Sequence, residues 1–148
     1  IRTVSGGSTG LWDLDQGLTE LQLGSYVLME GRYASVGLPF QPALFCAATI
    51  ISRPRRHVAV LDAGWKSLSG EFGLPLGPPG LSPLSLSDEH LVCEVARESK
   101  LEIGSVVLLL PAHLDPTVNL HDRLVAFEGG TCTEWEVDLR RTGPRLFE

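Results

Sequence analysis

The chain is short of several things, and each shortage excludes something. It has three cysteines, Cys46, Cys93 and Cys132, scattered and never in CxxC spacing. That argues against a disulfide framework and for a reduced, cytoplasmic setting. No apolar run reaches the roughly 18 residues of a transmembrane helix, and no charged region followed by an apolar core opens the chain. The expectation is therefore neither a membrane span nor a signal peptide. Basic charge is also short: 12 Lys and Arg against 18 Asp and Glu leave a formal charge of −6. A nucleic-acid partner needs a basic face, so none is expected. The single basic cluster, "RPRRH" (53–57), reads as a solvated turn, with an anion or a partner subunit as the other reading. Lysine is rarest among the charged residues, with only Lys66 and Lys100.

What is present fits one globular domain: 148 residues, 43% hydrophobic and 20% charged. The opening Ile-Arg-Thr-Val-Ser-Gly-Gly carries no methionine and enters mid-strand, which reads as the back part of something longer. "IRTVS" is a short strand pattern broken by the turn "GGSTG" (6–10). Residues 11–24 are mixed, with a short helical turn or strand expected before Gly24, and "SYVLMEG" (25–31) predicts a strand.

From Ala43 the texture becomes mainly β. The run "ALFCAATIISR" (43–53) predicts one strand buried on both faces, and "HVAVLDAG" (57–64) an alternating strand ending at Gly64. Four prolines and three glycines make 73–90 a loop or excursion. "HLVCEVA" (90–96) alternates at period two, and a tight turn at Ile103-Gly104 feeds "VVLLLP", which reads as a buried strand. "HDRLVAFEGGTCTEWEV" (121–137) predicts a hairpin with "EGGT" at its tip. Many short strands at regular spacing indicate a small closed or sandwiched β domain.

Four stretches carry chemistry. In "PAHLDPTVNLHD" (111–122), His113 and Asp115 are two apart, so on an extended strand end both side chains point one way. An imidazole nitrogen and a carboxylate oxygen suit Zn²⁺, Mn²⁺ or Co²⁺ at an open catalytic site; the alternative is a solvated turn. In "GGSTG", glycines around Ser8 and Thr9 expose backbone N–H groups and two hydroxyls, the makings of a phosphate cradle or of a flexible turn. No lysine follows, so it is not a Walker loop. Lys66 in "DAGWKSLS" (62–69) is either a desolvated nucleophile beside Trp65 or a surface lysine, and "SDEH" (87–90) reads as a capped turn.

These pieces occur in an order that closely resembles the back portion of the D-threonine aldolase and D-serine dehydratase-like family, pyridoxal-phosphate (PLP) enzymes of the alanine racemase fold type. The run is "VSGGSTG", "TELQLGSYVLMEGRY", "ATIISRPRRHVAVLDAGWKSLS", "LSDEH", then "LEIGSVVLLLPAHLDPTVNLHD". The resemblance implies that residues 1–35 are the last strands of a PLP-holding (β/α)₈ barrel and 36–148 a barrel- or sandwich-like C-terminal β domain. It puts the family's phosphate loop on Gly6, Gly7, Ser8, Thr9 and Gly10, and its metal pair on His113 and Asp115. Aspartate where the family also uses cysteine hardens the site toward Mn²⁺ or Mg²⁺ over Zn²⁺ and tilts the reading toward the aldolase. His121 and Asp122 are expected to shape the turn or orient the ligands.

The implied whole is a cytoplasmic, homodimeric lyase acting on small D-β-hydroxy amino acids. In the aldolase form it yields glycine and an aldehyde; the alternative is a D-serine or D-3-hydroxyaspartate dehydratase. One departure weighs against carrying this over whole: the family's PLP-binding lysine lies upstream of anything matched here, and Lys66 matches a β-domain motif instead. A non-catalytic metal-binding β module, or a pseudoenzyme subunit lending its β domain to a partner, would both account for that.

Overall fold

The computed structural model describes residues 2–14 and 17–138. Ile1, residues 15–16 and the last ten residues of the expected β domain, 139–148, lie outside the described residues. Two short strands open the chain, β1 (Ser5–Gly6) and β2 (Glu20–Leu21), paired in parallel with Ser5 opposite Glu20. Parallel neighbours need a crossover, and here it contains a 3₁₀ turn at Thr9–Leu11. The strand expected over "IRTVS" thus shrinks to two residues and takes in Gly6, while of the helical turn or strand expected before Gly24 it is the strand that forms, as β2.

The strand expected over 25–31 does not form. Ser25–Val27 is a 3₁₀ turn, and the single-turn helix α1 (Gly31–Ala34) follows. β-propensity loses here to burial. Met29 is fully buried at φ +57°, a left-handed conformation that a strand cannot contain and that costs a side-chain-bearing residue about 1 kcal/mol or more. The N–H groups of Gly31 and Arg32 then bond to the carbonyls of Pro111 and Ala112, at 2.8 and 3.3 Å.

The centre of the molecule is one antiparallel sheet. Its strands are β3 (Cys46–Arg55), β4 (Val58–Leu61), β5 (Leu81–Leu86), β6 (Leu91–Val95) and β7 (Val106–Leu109), in the order β5-β6-β4-β3-β7. Residues 46–49 of β3 pair with β7 and residues 50–55 with β4, with register shifts along the second half. Such irregularities sharpen twist and bend. The sheet curls far enough for Leu76, before β5, to bridge Leu110, after β7, through reciprocal bonds of 2.8 and 2.9 Å. This is the barrel-like β domain anticipated from the spacing of the strands.

Ile50, Leu61, Leu68, Leu91, Cys93 and Leu109 are fully buried inside the curl. Each large aliphatic side chain among them contributes about 1.5–3 kcal/mol. Three expectations are corrected. The 43–53 strand buries one face: Ala48 and Ile50 are inside while Ile51 is exposed. Likewise β7 hides Val107 and Leu109 but exposes Val106 and Leu108, because only one face of the sheet meets the core. The proline-rich stretch 73–90 contains β5, and Pro83 is tolerated because β5 is the other edge.

The predicted hairpin is present as β8 (Arg123–Glu128) and β9 (Thr131–Glu136), joined by Gly129 and Gly130 at φ +55° and +84°. Positive φ at both central residues is the tight turn whose twist matches paired strands. Between β7 and the hairpin lies a second single-turn helix, α2 (Leu114–Val118).

Candidate functional site

His113 sits where β7 hands over to α2. Its backbone is extended, at φ −132° and ψ 124°, but Asp115 already lies in the first turn of the helix. The two side chains therefore do not share an extended strand end, as the i, i+2 spacing suggested. The turn nevertheless leaves His113 Nε2 4.0 Å from Asp115 Oδ2.

A residue at the N-cap ordinarily accepts a bond from a first-turn N–H, and His113 does not. The N–H of Leu114 is taken instead by Glu30 Oε2 at 2.7 Å, and Glu30 is only 2% exposed. A carboxylate at a helix N-terminus is well placed electrostatically. With that N–H satisfied from elsewhere, the imidazole is left for other work.

That work is defined by Glu71. His113 Nδ1 lies 2.8 Å from Glu71 Oε2. A carboxylate accepts and does not donate, so Nδ1 donates to Glu71, and Nε2 faces Asp115. The Phe72 ring packs on the imidazole with centroids 4.4 Å apart, and the Arg32 guanidinium lies over the Phe72 ring, also at 4.4 Å. The His113 side chain is 20% exposed and that of Asp115 82%.

This geometry fits a divalent ion. A histidine that ligates a metal commonly donates its second ring N–H to a carboxylate. Metal–ligand bonds of about 2.0–2.2 Å require only a small swing of the exposed Asp115 carboxylate. Among the described residues no group of three or more His, Cys, Asp or Glu could hold an ion. A two-ligand site leaves positions for water or substrate.

The glycine-rich loop lies at the end of β1. Gly7 turns at φ +91°, and Ser8 precedes the 3₁₀ turn with a hydroxyl that caps nothing, while Thr9 is buried. Three positions without side chains and a free hydroxyl are a donor set suited to phosphate. A Cβ on Gly10 would lie 3.2 Å from the Tyr33 ring. Tyr33 belongs to α1, the same helix whose first residues bond to Pro111 and Ala112 beside His113. The loop and the histidine are thus tied to one short element.

The remaining motifs are structural. Gly64 packs so tightly on the 87–88 peptide that a Cβ would stand 2.4 Å from Ser87 O. Trp65 N–H donates to Ser87 O and Lys66 N–H to Asp88 O, so "DAGWK" docks directly on "SDEH". The Lys66 ammonium is 68% exposed and paired with Glu89, which raises its pKa, first through the hydrogen bond and then through charge. The surface reading of Lys66 is the right one. His121 Nε2 donates to Ser67 O at 2.9 Å, which pins the 66–69 segment to the end of α2.

Glu30 and Glu71 are the two residues that the spacing of motifs does not reveal. Each acts on a partner 84 or 42 positions away. Neither sits in a pattern of its own.

The comparisons with known proteins bear on the whole of this arrangement. The chain is 40% identical over 149 residues to the D-threonine aldolase of an Arthrobacter species, covering 93% of this chain and 39% of that protein. The crystal structure of D-threonine aldolase from Filomicrobium marinum superposes with a TM-score of 0.80 at 36% identity, over 92% of this chain and 41% of the other. An alanine racemase-like protein from Idiomarina loihiensis matches with a TM-score of 0.78 at 22% identity, over 95% of this chain and 44% of the other, and shares the fold. The chain therefore spans about two fifths of the curated relatives it matches. The family model described as a putative serine dehydratase domain matches residues 43–127, more than half of the chain and all five strands of the curled sheet. The chain belongs to that family, and its mainly β fold is shared with an alanine racemase-like protein.

Proposed function

We propose that this chain is the metal-bearing portion of a PLP-dependent lyase that cleaves D-β-hydroxy amino acids, in the manner of a D-threonine aldolase, to glycine and an aldehyde. The observation that carries the reading is the His113 imidazole, fixed through Nδ1 by Glu71 and presenting Nε2 to Asp115. His113 and Asp115 hold the divalent ion, and an imidazole with a hard carboxylate favours Mn²⁺ or Mg²⁺ over Zn²⁺. Gly6, Gly7, Ser8, Thr9 and Gly10 hold the cofactor's phosphate through backbone N–H groups and the Ser8 hydroxyl. Residues 1–35 are the end of the cofactor barrel and 36–148 the β domain; the parallel β1–β2 pair supports this division. When bound, PLP supplies an electron sink for the substrate's α-carbon, and the ion supplies Lewis acidity at its β-hydroxyl.

The chain's own residues do three things around that chemistry. The Glu71–His113 bond holds the ligand nitrogen in its lone-pair form. Phe72 covers one face of the imidazole and keeps water from it. Exposed Asp115 adjusts to the ion and leaves its remaining positions to substrate. Lys66 is engaged by Glu89 on the surface. In this reading the lysine that binds the cofactor comes from outside this chain, and the working unit is a homodimer.

A dehydratase is the second reading, favoured by the description of the family model itself. Product analysis separates the two: glycine and an aldehyde mark the aldolase, a 2-oxo acid and ammonia the dehydratase. In the intact protein, Asp115→Ala is expected to abolish metal-dependent turnover while leaving the PLP absorbance in place. Full turnover of that variant in the presence of a chelator would sink the assignment.

A further inference from the structure

We propose that Glu71 is the positioning residue of the metal centre, setting the tautomer and the direction of the His113 ring. The inference rests on the reading of His113 and Asp115 as metal ligands. Glu71 is 60% exposed, so as an ion pair it contributes little to folding. Its effect is on which ring nitrogen carries the hydrogen. With an acceptor at Nδ1, Nε2 is free to bind an ion; without one, the Nε2–H form is also populated, and that form cannot bind.

The contact is built from both sides. The Glu71 N–H donates to Ser69 Oγ at 3.3 Å, the Ser69 N–H donates to Thr117 Oγ1 at 3.1 Å, and the Thr117 hydroxyl donates to the His113 carbonyl at 2.7 Å. The loop that carries the acceptor is therefore anchored to the backbone of the residue that carries the imidazole. Phe72, the next residue along, packs on the ring at 44° and limits its rotation, and Arg32 packs on Phe72 in turn. Residues 71 and 72 together fix both the proton position and the plane of the ring.

The test uses the full-length protein free of metal, as wild type and as Glu71→Ala, Glu71→Gln and His113→Ala. Mn²⁺ affinity is read from the EPR signal of the free ion, and the His113 tautomer from long-range ¹H–¹⁵N NMR. Glu71→Ala is expected to weaken Mn²⁺ binding about ten- to hundredfold and to mix the tautomers, with no change in the metal-free melting temperature. Glu71→Gln retains an amide oxygen that accepts from Nδ1–H and should recover most of the affinity. Wild-type affinity and tautomer in Glu71→Ala, while His113→Ala abolishes binding, would overturn the role of Glu71 and leave the metal reading intact. A loss in Glu71→Ala that Glu71→Gln does not rescue and that tracks a fall in melting temperature would also overturn it. Mn²⁺ binding that His113→Ala leaves unchanged would overturn the metal reading, and this inference with it.

Discussion

The curled sheet and the β8–β9 hairpin are both antiparallel ladders with regular pairing, yet they are held by different forces. In the sheet, alternate residues of β3, β4, β6 and β7 point into a closed core, and Ile50, Leu61, Leu91 and Cys93 are wholly removed from water. In the hairpin, Val125, Phe127 and Trp135 stay in solvent, Phe127 at 80% exposure. Its pairing rests on the Gly129–Gly130 turn, on cross-strand contacts and on an exposed Arg123–Glu134 ion pair of 2.8 Å. A two-stranded ribbon without a covered face is marginal by itself. Hydrogen-bonded pairing is common to both regions; burial is what separates a scaffold from an appendage, and the candidate metal ligands stand on the scaffold side.

The sharpest way to break this contrast is in the core. Ile50→Ala should cost about 2–5 kcal/mol of unfolding free energy, through lost transfer energy and an unfilled cavity, as measured by denaturant titration. A cost below about 1 kcal/mol would mean that the curl is not the stabilising unit.

Thiol chemistry should sort the two regions next. Burial pushes the Cys93 thiol up to about 11, so at pH 8 only about one molecule in a thousand is thiolate there, and the group is enclosed. Cys132 is exposed on the hairpin. Mass-spectrometric labelling with iodoacetamide should modify Cys132 first and Cys93 more than about a hundredfold more slowly. The sign of the linkage follows. Cys93 stays protonated in the fold while the unfolded chain releases its proton above the ordinary value of 9.0. Its contribution to stability is complete below that value and is lost as pH rises from there toward 11.

Smaller effects belong to the hairpin. Gly130→Ala forces a Cβ into the left-handed region at φ +84°, a cost of about 1 kcal/mol. The β8–β9 amides should then exchange several-fold faster, with the sheet unchanged. Phe127→Ser should shift global stability by less than about 0.5 kcal/mol, because there is no burial to lose. A larger loss would reveal contacts that cover Phe127.

Much of the fold was legible wherever one force acted alone. The alternation in 57–64 and 90–96 gave β4 and β6, since a strand with one buried face must alternate. "EGGT" gave the hairpin tip, since only glycine adopts two successive positive φ values cheaply. The spacing of His113 and Asp115 singled out the pair, although for the wrong backbone. Legibility failed where two demands competed. Proline in 73–90 argued for a loop, but an edge strand has an N–H to spare; the β-formers of 25–31 argued for a strand, but burying Met29 required a turn.

The amino-acid sequence by itself determined the β character of the chain, the family it resembles and the two side chains best suited to hold a metal. These follow from local periodicity, turn chemistry and side-chain type. Only the tertiary structure decided that Glu30 caps α2, that Glu71 bonds to Nδ1 of His113, and that Lys66 is bound to Glu89 on the surface. Each of these is a contact between residues 23 to 84 positions apart. No local pattern encodes such a contact, because it exists only after the curled sheet has brought its loops together.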